Sequence, residues 1–197
     1  MPTNHIPRLL FFAGSARTGS FNKKLARLAC ELAAQHNVQA TFVDLNDYNI
    51  PLYNADEEAQ HGLPQEVQRL KDLFQSHDGF FVACPEYNGM PPPLLINTLD
   101  WLSRRSNEHE KPLAAFAGKV AALAAASPGN LGGLRSLPHL RSLLGNLGVT
   151  VVPKQVAIGS AMGAFDTNGQ LANTTQQAQL ATLLDTFIAL VQAVKGS

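Results

Sequence analysis

The chain of 197 residues lacks several features that would place it in common protein classes. It has no net charge at neutral pH, with fifteen basic and fifteen acidic residues, so no overall field attracts nucleic acid or an anionic membrane. The apolar run near its start, residues 9–13, is far too short for a spanning helix or a signal peptide. We therefore expect a cytoplasmic protein that binds neither nucleic acid nor membrane.

Cysteine and metal-ligand patterns are equally sparse. The two cysteines, Cys30 and Cys84, fall in different predicted elements and have no Cys-x-x-Cys spacing, which disfavours a structural disulfide. The six histidines are scattered, and none pairs with another ligand type at the spacing of a metal site. The sequence predicts no disulfide and no bound metal.

Three well-defined motifs of nucleotide-binding proteins and hydrolases are also absent. No Gly-Lys-Ser/Thr follows a glycine-rich loop, and no Gly-x-Gly-x-x-Gly follows an apolar strand. The Gly-x-Ser-x-Gly turn of α/β-hydrolases is missing as well, so the sequence gives little support for a serine hydrolase of this type.

Apolar stretches of strand length alternate with stretches of helical periodicity along the whole chain. This alternation predicts one α/β domain, residues 1–197, in which crossover helices connect parallel strands. Nearly continuous apolar composition in the first, third and fourth strands predicts that these are central. The strands are expected at residues 8–13, 39–45, 79–84, 120–126 and 150–158.

The helices between these strands are predicted from apolar stripes of 3.6-residue period. Two polar stretches, around Glu57-Glu58 and around His109, are interpreted as solvated connections. The stripes begin at Phe21, Leu63, Leu95, Leu137 and Leu180, and they end at Leu32, Phe74, Leu102, Leu147 and Val194.

Five βα units in this order fit either a flavodoxin-like fold or half of a dinucleotide-binding fold. The order of strands in the sheet is not readable from the sequence. In both folds, ligands bind beyond the carboxyl ends of the strands. The loops after the first, third and fourth strands are therefore the expected positions for a ligand site.

The loop after the first strand, residues 14–22, has the composition of an anion site. It is rich in small residues and leads directly into a helix, whose free N–H groups and dipole favour a phosphate. Hydroxyls of Ser15 and Ser20 can add hydrogen bonds, and Arg17 can add a compensating charge. The alternative is that Ser20 is only a helix cap and Gly14 only a tight turn.

The other two loops carry a family pattern. Residues 85–101 begin Pro-Glu-Tyr-Asn and continue to Asn97 and Asp100-Trp101, while residues 127–135 read Ser-Pro-Gly-Asn-Leu-Gly-Gly-Leu-Arg. Together with the Gly-Ser-x-Arg-x-x-Ser-x-Asn of the first loop, the sequence resembles the NAD(P)H-dependent FMN reductase family. Its relatives include quinone, azo-dye and chromate reductases.

The resemblance implies a flavodoxin-like three-layer sandwich with a five-stranded parallel sheet. It implies FMN as the cofactor, NADPH or NADH as the electron donor, and a quinone, flavin or similar small molecule as the acceptor. Turnover would follow a ping-pong order, with no side chain acting as acid, base or nucleophile. The family also implies a homodimer or homotetramer.

The resemblance further implies a role for each motif. The phosphate of FMN would be held by Ser15, Arg17, Ser20 and Asn22. The isoalloxazine ring would lie along the turn formed by Pro85, Glu86, Tyr87, Asn88 and Gly89. The pyrimidine end of the ring would be flanked by Ser127, Gly129, Gly132 and Gly133.

The chain departs from the family pattern in its second loop. Met90 stands where a serine is common, Pro93 where a glycine is common, and Ile96 where a lysine is common. These departures keep open the alternative of a flavin-binding protein without turnover. A flavodoxin-like electron carrier is a second alternative, against which the neutral net charge and Arg17 argue. For Asp100-Trp101, a helix-surface charge and a packed aromatic ring are at least as well supported as a ligand role, and Cys84 is interpreted as a small buried packing residue.

Overall fold

The computed structural model describes residues 5–195, which contain one sheet of five parallel strands. The strand order is β2-β1-β3-β4-β5, the order of flavodoxin-like folds. Of the two folds left open by the sequence, this order selects the flavodoxin-like one. The strands are β1 (Arg8–Ala13), β2 (Gln39–Val43), β3 (Gly79–Ala83), β4 (Val120–Ala126) and β5 (Thr150–Ile158).

The described helices follow the strands as crossover connections, with one addition. The extra helix, α2, has seven residues and buries none of them, so it has no apolar stripe to reveal it in the sequence. The helices are α1 (Phe21–Ala33), α2 (Ala55–His61), α3 (Gln65–Gln75), α4 (Pro93–Leu102), α5 (Ser136–Asn146) and α6 (Thr174–Lys195).

Two layers of helices cover the two faces of the sheet. On one face, α1 and α6 pack against alternate strand residues such as Phe11 and Phe81, whose rings stack at 5.7 Å. On the other face, α3, α4 and α5 pack against a second cluster centred on Phe12, Phe74 and Phe80. Because β1, β3 and β4 are covered on both faces, their residues are almost all buried, as the continuous apolar runs predict.

One described helix, α6, is long and apolar enough by length and composition to cross a membrane. Its apolar side is used within the fold, since Leu180, Leu184, Phe187 and Val191 are buried in the core beside β4 and β5. The 18-residue stretch of α6 with a mean hydropathy of 1.3 therefore belongs to a helix that packs on the sheet.

The predicted elements agree with the structure in number and order of strands, and they differ in detail. The second and third strands end at Val43 and Ala83, one or two residues before their predicted ends. Leu63 lies outside α3, which begins at Gln65 after Pro64. The interpretation of Glu57-Glu58 as a solvated connection was wrong, because both residues belong to α2.

The strand order also determines where the connections diverge. The chain leaves β1 through α1, which packs on one face, and leaves β3 through α4, which packs on the other. A crevice forms where neighbouring parallel strands send their connections to opposite faces. In this protein it lies beyond Ala13 and Ala83, which are paired at the carboxyl ends of β1 and β3.

Candidate cofactor site

The first and second loops meet directly above the sheet. The N–H of Gly14 donates to the carbonyl oxygen of Ala83 at 3.0 Å, which extends the β1–β3 ladder into the loops. A Cβ at Gly14 would lie 2.9 Å from the Cβ of Leu95 and 3.3 Å from Pro85. Glycine is therefore required at this position for the loop after β1 to approach the start of α4.

The loop of residues 14–22 presents unpaired backbone donors. Within residues 5–195, no hydrogen-bond acceptor faces the N–H of Ser15, Ala16, Phe21 or Asn22. The last two belong to the first turn of α1, where N–H groups have no partner within a helix. Unpaired donors of this kind and the positive end of a helix dipole are the features with which helix N-termini bind anions.

The side chains of this loop agree with that interpretation. Ser20 is the N-cap of α1, and its Oγ accepts from the N–H of Lys23, so its hydroxyl hydrogen remains available to a ligand. The cap role and the ligand role are therefore compatible. Ser15 is buried, and the guanidinium of Arg17 is exposed without an ion-pair partner in the described chain.

Asn22 is buried and braces the loop against β4. Its Nδ2 donates to the carbonyl oxygen of Ala126 at 2.8 Å, and its Oδ1 accepts from the N–H of the same residue at 2.9 Å. Because Oδ1 and one Nδ2 hydrogen are used, only the second Nδ2 hydrogen remains for a ligand. The main contact of Asn22 is thus with the strand end rather than the loop opening.

Sequence reasoning missed a cation beneath this loop. Lys23 lies in the first turn of α1, and its Nζ donates to the carbonyl oxygen of Ala16 at 3.2 Å and to Asp44 Oδ2 at 2.7 Å. The side chain of Lys23 is 8% exposed, and that of Asp44 is 18% exposed. No one-dimensional pattern links these residues, because Asp44 follows β2 and reaches Lys23 only in the folded chain.

The second loop forms a tight turn at the edge of the crevice. Tyr87 and Met90 exchange two backbone hydrogen bonds of 3.0 Å, and Asn88 and Gly89 between them have φ values of 55° and 82°. Positive φ at both central residues is the geometry of a type I′ turn, for which Asn-Gly is the preferred pair. The side chains of Tyr87 and Met90 are each nearly half exposed beside the crevice.

The second and third loops are joined by Glu86 and Arg135. Glu86 Oε2 accepts from the backbone N–H of Arg135 at 3.0 Å, and Oε1 accepts from its Nε at 2.7 Å. The Glu86 side chain is only 7% exposed, so its carboxylate is largely enclosed by this pairing. The predicted ring-binding residue Glu86 therefore contributes to loop position.

The third loop packs closely against the end of β5. A Cβ at Gly132 would lie 2.6 Å from the carbonyl carbon of Ile158, and a Cβ at Gly133 would lie 2.9 Å from the Cβ of Ala125. Both glycines have positive φ, at 62° and 89°. Ser127 Oγ accepts from the N–H of Gly129 at 3.2 Å, which stabilises the start of the loop. For Gly132 and Gly133, backbone packing explains the residue type without a ligand.

The remaining residues beside the site are mostly structural. Burial raises the pKa of the Cys84 thiol to about 12, so Cys84 carries no thiolate at neutral pH. Trp101 is buried, and its Nε1 donates to the carbonyl oxygen of Pro51 at 2.8 Å. Pro93 occupies the first turn of α4, where a missing N–H has no cost, and Ile96 is half-buried.

All three loops predicted from the sequence meet at the carboxyl ends of β1, β3 and β4. The first loop presents unpaired N–H groups at the start of α1, and the other two loops beside it carry exposed apolar side chains. In the described chain, five of the eight large apolar side chains that are exposed belong to the loops at this end of the sheet: Tyr87, Met90, Leu131, Leu134 and Met162. This arrangement fits a ligand with a phosphomonoester at one end and a flat, partly apolar body.

The site also lacks features that some other chemistries need. No group of three histidine, cysteine, aspartate or glutamate side chains within residues 5–195 could hold a metal ion. The carboxylate at the site, Glu86, is paired with Arg135.

Comparison with protein families gives one match that spans most of the chain. The model of the family described as NADPH-dependent FMN reductase matches residues 7–163, which include all three loops.

Similar individual proteins carry related names. An NAD(P)H-dependent FMN reductase of Pseudomonas aeruginosa is 34% identical over 191 residues, covering 96% of this chain and 97% of its own. A quinone reductase of Escherichia coli K12 is 36% identical over 149 residues, covering 76% of this chain and 75% of its own. Among solved structures, the flavoenzyme NAD(P)H:(acceptor) oxidoreductase FerB of Paracoccus denitrificans superposes with a TM-score of 0.78. It shares 25% identity and covers 95% of this chain and 98% of its own.

Proposed function

This chain belongs to the NADPH-dependent FMN reductase family, and we propose that its three loops bind FMN at the crevice between β1 and β3. The protein is an FMN-dependent NAD(P)H oxidoreductase whose acceptors are small molecules such as quinones or flavins. The single observation that carries the binding proposal is the unpaired set of backbone donors at the start of α1, beside the unpartnered Arg17.

The phosphate of FMN is assigned to the loop of residues 14–22. Ser15 and Ser20 offer hydroxyls, Arg17 offers a charge-assisted contact, and the N–H groups of the first turn of α1 complete the set. Asn22 contributes one remaining amide hydrogen and mainly keeps α1 against β4. A single phosphate group matches this loop, because its unpaired N–H groups lie around the N-terminus of one helix, α1.

The ring of FMN is assigned to the second and third loops. In this assignment one side of the ring would lie along the backbone of Pro85, Glu86, Tyr87, Asn88 and Gly89, and the other along that of Ser127, Gly129, Gly132 and Gly133. FMN held there would supply the redox chemistry of the reaction, the transfer of two electrons from NAD(P)H to the acceptor. The role of the protein is to position the reactants and to direct N–H dipoles at the developing negative charge.

We propose a ping-pong order, in which the nicotinamide and the acceptor use the same face of the flavin in turn. The loops that would border this face carry the exposed apolar side chains of Tyr87, Met90, Leu131 and Leu134, which flat nicotinamide and acceptor rings could contact. Steady-state kinetics with a quinone should give parallel double-reciprocal lines. Intersecting lines would contradict the ping-pong order but not the FMN assignment.

Absorption spectroscopy tests the function directly. The purified protein, reconstituted with excess FMN and freed of unbound flavin, should show the visible bands of a flavin, which anaerobic NADPH or NADH should bleach. An electron carrier would bind flavin without bleaching by either nicotinamide. Failure to retain any FMN would refute the proposed site.

We also propose a cytoplasmic homodimer or homotetramer. The unpaired cysteines, Cys30 and Cys84, are compatible with a reducing compartment, and exposed Leu52 beside buried Trp101 offers apolar surface for a subunit contact. Light scattering after size exclusion should give a mass of two or four chains. A monomer mass at micromolar concentration would overturn the oligomer proposal.

A further inference from the structure

We propose that Lys23, buried beneath the loop of residues 14–22 and paired with Asp44, is a positioning residue that makes the site selective for a flavin carrying a phosphate. The inference rests on the proposed function and concerns residues that the three loop motifs do not include. The first turn of α1 has two positive charges, which the helix dipole alone does not favour.

The first turn of α1 carries Lys23 and Lys24 and no acidic residue. Cations near a helix N-terminus oppose the helix dipole, which favours anions there. Lys23 is in addition nearly buried, and burying an ammonium group is costly unless it is paired. Asp44 supplies the charged partner, and the carbonyl oxygen of Ala16 accepts a second hydrogen bond.

The contacts of Lys23 reach the backbone that forms the site. Its Nζ donates to the carbonyl oxygen of Ala16 at 3.2 Å, which directs this carbonyl toward the lysine. Because the peptide unit is planar and trans, the N–H of Arg17 on the same unit points the opposite way. Lys23 thus fixes the orientation of the peptide that leads into the Arg17 side chain.

Asp44 sets the balance of charge under the loop. Its Oδ2 accepts from Lys23 Nζ, while its Oδ1 accepts from the N–H of Asn46 and caps the short 3₁₀ turn after β2. The carboxylate is therefore placed by the β2 connection and not by the ligand. It neutralises Lys23 in part and leaves the unpartnered Arg17 and the helix dipole to attract the anion.

Two roles for Lys23 make different predictions. If Lys23 acts through the loop on the phosphate, its removal should weaken binding of FMN but not of riboflavin, which lacks the phosphate. Removal of Asp44 alone should leave FMN binding unchanged or stronger, because a positive charge is freed. If the pair is only structural, both substitutions should weaken both flavins together.

The experiment compares four forms of the flavin-free protein: wild type, D44N, the double variant K23Q/D44N and K24Q. The double variant avoids the largely buried, unpaired carboxylate that K23Q alone would leave at Asp44. K24Q is the matched control, since Lys24 undergoes the same charge change one residue away while its exposed Nζ lies 6.0 Å from the centre of the Phe21 ring. Affinities for FMN and riboflavin are measured by quenching of flavin fluorescence, and melting temperature without flavin reports the fold.

In K23Q/D44N we expect the FMN affinity to fall at least about tenfold, the scale of one lost charge-assisted contact, and the riboflavin affinity to stay within about twofold. D44N should bind FMN at least as tightly as wild type, and K24Q should stay within about twofold of it. An unchanged FMN affinity in K23Q/D44N, or equal losses for both flavins, would overturn the role of Lys23. If wild type itself binds FMN no more tightly than riboflavin, the proposed phosphate site fails and the inference fails with it.

Discussion

The carboxylate of Glu86 accepts hydrogen bonds from both the backbone N–H and the guanidinium of Arg135, so that one side chain joins the loop after β3 to the residue before α5. The two loops approach the crevice from neighbouring strands and share no backbone ladder beyond the sheet. The Glu86–Arg135 pair therefore links the two loops directly. Several properties of the site follow from such contacts between loops.

Replacing Arg135 by alanine should loosen the site more than it destabilises the fold. The Arg135 side chain is two-thirds exposed, so the loss in free energy of unfolding should be about 1 kcal/mol or less. The Glu86 carboxylate loses its charged partner, and the FMN affinity should fall several-fold. Urea unfolding and flavin titration measure the two effects. R105A, at an exposed arginine of the segment before β4, is the control, and an equal effect of both variants would contradict the role of the pair.

Gly132→Ala should be among the more damaging single-methyl additions in the chain. The new Cβ would lie 2.6 Å from the backbone of Ile158, and φ of 62° is unfavourable for alanine. We expect a loss of at least about 2 kcal/mol in the free energy of unfolding. Gly145→Ala is the matched control, because its Cβ meets no atom within 4 Å in α5, and alanine should stabilise this helix by about 0.5–1 kcal/mol. Chemical denaturation of both variants should give shifts of opposite sign.

Asn22→Ala removes two hydrogen bonds from the backbone of Ala126. The buried N–H and carbonyl of that residue would lose their partners, at a cost of roughly 1–3 kcal/mol each before water enters. Asn22→Asp should lower the FMN affinity further than Asn22→Ala, because it adds a negative charge beside the phosphate site. Thermal melting and flavin titration separate the two effects. Equal FMN affinities in the alanine and aspartate variants would argue against a phosphate near this residue.

Lys119 should make stability rise with pH in the alkaline range. Burial lowers the pKa of Lys119 to about 8 from 10.5, and its ammonium donates to the carbonyl oxygen of His77. Between these two values the unfolded chain binds a proton that the folded chain does not, so the free energy of unfolding increases as pH rises from about 8 to 10.5.

The substitution K119M should remove this contribution. The difference in unfolding free energy between wild type and K119M should therefore change with pH across that window and stay flat below it. Urea unfolding of both proteins from pH 6 to 10 measures this difference. A difference independent of pH would show that Lys119 keeps an ordinary pKa in the folded state.

The sequence by itself determined the α/β class, the number of strands and the loops of the site. Continuous apolar runs indicate strands that are buried on both faces. The loop of residues 14–22 is one continuous segment, so both features can be recognised from the sequence alone. Helix α2 escaped detection because it buries no residue. Its Glu58 is held instead by the nearby Tyr53 and by Arg104, which the fold brings from 46 residues further along the chain.

Only the tertiary structure decided the strand order, and with it the choice between two folds of similar local pattern. It also decided which residues support the loops from behind. Lys23 meets Asp44 and Asn22 meets Ala126 across distant parts of the chain, and single polar residues at such separations leave no periodic signal. Residues that surround a ligand can lie together in one short motif. Residues that support the motif come from distant parts of the chain, and only the packing of the folded elements determines which they are.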